Sequence, residues 1–217
     1  QDATVTMTAV RADGNSQEVT TIVPHNNSLA VNAGETFFEL GSGAGYSVFI
    51  SSTEPNLKAT AIVSSLAAAS GNSPSAGRAV PMSDANNTLL YTYLPNGEGD
   101  VSAVVVVNTS AQAADITLNV YAGNTMAGTQ THNVPAHTPW AVLVSELSDG
   151  ATGDLSVEAS SNVSLVGASF VFNASGEPSM VAAEAKIWEP KITPLTDDDF
   201  YARDEAKEAL GKMLFLD

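Results

Sequence analysis

Three histidines, His25, His132 and His137, are the first residues in this chain that could hold a metal. Five positions separate His132 from His137, an odd spacing that puts them on opposite faces of an extended strand. A zinc site needs ligands converging on one ion, so the histidines read as polar loop and strand residues. Asp197-Asp198-Asp199 offers carboxylates to calcium, but a calcium loop alternates its oxygen ligands and turns at a glycine. Three consecutive acids ahead of a helix fit its dipole better. Gly41-Ser42-Gly43 is the nearest approach to a serine-nucleophile elbow and reads as a flexible turn. Its extension to Gly45 lacks the spacing and following helix of a phosphate-binding loop. Glu98 and Asp100 form a solvated acid pair in a glycine-rich turn. Tyr91, Tyr93, Trp140 and Trp188 could stack on a sugar; packing is the reading preferred here, with Tyr91 and Tyr93 on one strand face. The expectation is therefore no catalytic, cofactor-binding or metal-binding residue.

The composition supports that reading. Of 217 residues, 44% are apolar and 15% charged, enough apolar material for a core. Aromatics are 6%, so that core must be mostly aliphatic. Eight basic residues against 24 acidic ones give a net charge of −16, which repels nucleic-acid phosphates and anionic membrane surfaces. There is no cysteine, which excludes disulfides, thiolate ligands and covalent haem attachment within these residues. No apolar run is long enough to cross a membrane as a helix. The opening Gln1-Asp2-Ala3 has neither a basic nor an apolar leader and reads as a mature or excised segment.

The elements that would position these residues are strands. Thr4 to Val10 and Asp115 to Tyr121 alternate apolar and polar residues, and Val101 to Val107 is a denser aliphatic run. Turn signals recur at Asp13-Gly14-Asn15, Asn32-Ala33-Gly34, Pro95-Asn96-Gly97 and Ser148-Asp149-Gly150. Ser64 to Ala69 reads as a strand end.

An internal repeat runs through these strands. Val5-Thr6-Met7 matches Ile116-Thr117-Leu118 at an offset of 111, as Val23-Pro24 matches Val134-Pro135 and Leu29-Ala30-Val31 matches Trp140-Ala141-Val142. With small length changes, Tyr46-Ser47-Val48 follows Leu155-Ser156-Val157, and Ser51-Ser52 follows Ser160-Ser161. The predicted fold is mainly β: two tandem β-sandwich, Ig-like repeats at 1–83 and 84–186, a linker at 187–196 and a helical segment at 197–217. The second copy has Thr88–Tyr93 and Val101–Val107 ahead of its Ile116 strand, whereas only Gln1–Ala3 precede Val5. The first copy is thus expected to lack one or two initial strands, leaving an open edge.

The last segment changes period. Thr196 and the acids after it open a helix whose stripe is Ala206, Ala209, Leu210, Met213 and Leu214. Asp204-Glu205-Ala206-Lys207-Glu208-Ala209-Leu210-Gly211-Lys212-Met213-Leu214-Phe215-Leu216-Asp217 resembles the opening of the di-haem cytochrome c peroxidase family, which includes MauG-like enzymes. In that family such a stretch precedes the first haem-attachment motif. The resemblance covers 14 to 25 residues and implies that haem c and peroxide chemistry belong to a part beyond Asp217, in an extracytoplasmic and bacterial setting. It carries no functional residue onto this chain. Residues 1–185 more loosely resemble secreted bacterial Ig-like or fibre repeats.

The functional expectation is a secreted, non-catalytic structural or interaction module, the front of a larger di-haem peroxidase-like protein. Trp188, Phe200, Tyr201, Leu214 and Phe215 are the candidate docking residues, because a lone amphipathic segment cannot bury its own apolar face. Partners are expected through an open strand edge, either another protein or a further copy. The alternatives are a fibre or surface-layer subunit built by strand complementation, and a carbohydrate-binding module.

Overall fold

The computed structural model describes residues 1–41, 45–63 and 75–186, all within one compact unit spanning 1–186. The expected linker and C-terminal helix, with Trp188, Phe200, Tyr201, Leu214 and Phe215, lie outside the described residues, as does the Ser64–Ala69 segment. The protein is mainly β. No helix among the described residues is long and apolar enough to cross a membrane.

The first sheet has the order β2-β1-β3, from β1 (Ala3–Val10), β2 (Ser16–Val23) and β3 (Ser47–Ser52). Alternation in β1 turns Ala3, Val5, Met7 and Ala9 inward and leaves Thr4, Thr6 and Thr8 on the other face. Between β2 and β3 lies a helical turn, α1 (Ala33–Thr36), capped by the Asn32 side chain on the Gly34 amide. Phe37, at its end, is buried against the β1 residues, with Tyr46 edge-on to its ring at 5.6 Å. Strands β4 (Thr60–Val63) and β5 (Ser75–Arg78) form a separate antiparallel pair.

The larger sheet is built around one long strand. Its elements are β6 (Asn86–Asn96), β7 (Val101–Asn108), β8 (Ala114–Ala122), β9 (Thr125–Val134), β10 (Pro139–Leu143), the helical turn α2 (Val144–Leu147), β11 (Gly153–Phe172), β12 (Pro178–Ala182) and β13 (Glu184–Ala185). Residues 155–161 of β11 pair with β8 on one side, and 153–160 pair with β6 on the other. After a register shift between Ser160 and Leu165, residues 165–172 pair with β7, and 168–172 also pair with β12. β10 closes the far side of β7. Apolar faces from both arms enclose Ile116, Leu118, Val120, Val104, Val106, Leu94 and Val157, all almost without solvent contact.

The two regions repeat each other in hydrogen-bonding detail, 111 residues apart up to the helical turns and 109 apart at the strands that follow. Thr6 and Thr20 join their hydroxyls across β1–β2 at 3.1 Å, and Thr117 and Thr131 do so across β8–β9 at 2.8 Å. Asn27 N–H donates to the Pro24 carbonyl as Thr138 N–H does to that of Pro135. Asn26 and His137 share a left-handed backbone, with φ of 57° and 59°. α1 and α2 occupy corresponding residues. Thr6 opposes Ser51 as Thr117 opposes Ser160.

One sequence expectation fails at β6. Tyr91 and Tyr93 do not share a face, because β6 spends three steps between Tyr91 and Leu94 where β11 spends two between Val157 and Leu155. That bulge breaks the two-residue period, burying Tyr91 and leaving Tyr93 61% exposed. The Tyr91 hydroxyl donates to the Val105 carbonyl at 2.9 Å and lies over Gly167, where an added Cβ would sit 2.2 Å from it. Burial pushes the Tyr91 phenol above its ordinary value near 10. Tyr91→Phe should therefore cost about 1 kcal/mol, and Gly167→Ala about 3 kcal/mol by overpacking. Denaturant titration should show the double variant less unstable than the sum, since the hydroxyl clash is then absent. The pH dependence has a definite sign. The unfolded phenol loses its proton first, so stability should fall by about 1.4 kcal/mol per pH unit above pH 10, and Tyr91→Phe should remove that share of the slope.

Candidate functional site: an open strand edge

The internal correspondence defines the site, because the second region shows what covers the matching strand. Val157 and Ala159 face inward from β11 and are 1% and 0% exposed, with β6 hydrogen-bonded along their outer side. Their counterparts on β3, Val48 and Ile50, face inward from the same positions, opposite Ala9 and Met7. They are 39% and 40% exposed. β3 ends its sheet, and among the described residues no strand pairs with its outer side.

A second gap matches β7. In the second region β7 lies between β10 and the far arm of β11, with Val104 opposite both Val142 and Ser169. The counterpart of β10 is the stretch 28–32, which is not a strand. Its Leu29 and Val31 are 47% and 46% exposed, whereas Trp140 packs on the core and Val142 is 9% exposed. Leu29 and Val31 match residues of a covered interior, and among the described residues no strand pairs alongside them. An exposed set of this kind marks an interaction surface more often than scattered single residues do.

Other sequence candidates are placed apart. The His132 ring lies 5.2 Å from Trp140, and His137 sits edge-on to Phe49 at 5.6 Å. The imidazole Nδ1 of His25 is 3.3 Å from the amino terminus. Glu98 occupies the β6–β7 turn with φ of 56°, and Asp100 closes that turn through its backbone bond to Gly97. Among the described residues no cluster of three or more potential metal ligands exists. A shallow cleft of about 180 Å³ lies on the larger sheet beside Tyr93, Val171, Val181 and Glu184.

Sequence reasoning missed two residues that organise this region. Asn108 is fully buried, and its side-chain amide donates to the Gln112, Val134 and Pro135 carbonyls at 2.7, 3.0 and 3.2 Å. It pins the end of β7 onto the end of β9. Gln17 holds the Thr36 carbonyl at the end of α1 from 3.4 Å and accepts from the Glu39 amide. Its counterpart, Gly128, instead lets the backbone itself approach the Leu147 carbonyl. No local pattern announces either contact.

No family model matches this chain, and no curated protein matches it. A solved structure described as that of Thermotoga maritima 1070 is similar over 46% of this chain and 95% of its own, at 13% identity and a TM-score of 0.41.

The contrast between corresponding positions is measurable. Val157→Ala should cost about 2 kcal/mol, because it empties a closed interior. Val48→Ala should cost about 0.5 kcal/mol, because that side chain already meets water. Equal losses in chemical denaturation would mean that β3 is covered as fully as β11.

Proposed function

We propose that this chain is a secreted, non-catalytic structural and interaction module made of two tandem β-sandwich repeats of Ig-like type. In the first repeat, within 1–83, the outer side of β3 has no partner strand among the described residues, unlike its counterpart in the second, within 84–186, and this edge receives a strand from another polypeptide. The observation that carries this reading is the pairing of half-exposed Val48 and Ile50 with buried Val157 and Ala159 at matching positions. A strand edge with unpaired backbone groups and an uncovered apolar face recruits extended chain by hydrogen bonding and burial together. Its work is attachment or assembly in an extracytoplasmic setting, and the fibre reading is the case in which the added strand comes from a like subunit.

Sedimentation with amide exchange tests this. Exposed edges of this kind should associate weakly as concentration rises, and Val48→Lys with Ile50→Lys should abolish that association. A chain that stays monomeric and exchanges the β3 amides as slowly as those of β8 would overturn the reading.

The place of the module at the front of a di-haem peroxidase-like protein is a further part of the proposal, supported by the sequence of residues 204–217. Protein from the natural source should then exceed 22.3 kDa and carry a haem Soret band. Intact mass with an absorption spectrum decides it, and a 22.3 kDa species without haem removes that part alone.

A further inference from the structure

We draw no further inference here: the strongest candidate, the shallow cleft between β6 and β12 beside Tyr93 and Glu184, carries nothing because nothing in the structure shows what covers it.

Discussion

An antiparallel strand with one apolar face requires two things at once: hydrogen-bonding neighbours at its sides and an apolar layer over its face. In the larger sheet one strand, β11, meets both needs for nearly everything around it. Its first arm lies between β6 and β8, and its second arm pairs with β7 and β12. The shift between Ser160 and Leu165 lets a single 20-residue strand serve two sets of partners. Ile116, Leu118 and Val120 are dry because both arms and their neighbours close over them. Where the corresponding strands β3 and β4 are separate and shorter, the same chemistry produces a smaller core around Val5, Met7 and Phe37.

The two regions meet through modest contacts. Met180 N–H donates to the Ser75 hydroxyl at 3.0 Å, and the Met180 methyl lies against Gly77. Phe49 touches the His137 ring. The last described segment is held to the larger sheet by β13 and by the ion pair of Lys186 with Glu158 at 2.5 Å. Both side chains of that pair are partly exposed, so the pair orients the segment more than it stabilises it. The division leaves one region closed around its own core and the other with apolar side chains exposed among the described residues.

Much of the local structure was legible in the residues. Alternating threonine and aliphatic side chains announced β1 and β8, and Asp13-Gly14-Asn15 announced the turn that joins β1 to β2, where Gly14 takes φ of 85°. The offset of 111 was legible because paired threonines, a Val-Pro step and a turn are short-range devices that survive in sequence. The helical turns were less so. Asn32 caps α1 recognisably, but α2 follows Leu143, which offers no capping side chain, and Val144 and Leu147 are helical there because burial favours it. The β6 bulge was invisible, since Thr92 and Tyr93 look like any strand residues and the extra step exists only against β11.

By itself, then, the sequence determined the strand-forming class, the net negative charge and the matching motifs 111 residues apart. Each of these follows from side-chain type, spacing or charge, which act within a few residues or sum over the chain. Tertiary structure alone decided which inward side chains are covered. Val48 and Val157 are the same residue at corresponding positions, and they differ because solvent exposure depends on whether a distant segment lies alongside. The same holds for Asn108, whose three carbonyl partners come from two separate stretches of chain, and for Tyr91, whose hydroxyl finds its acceptor on a neighbouring strand.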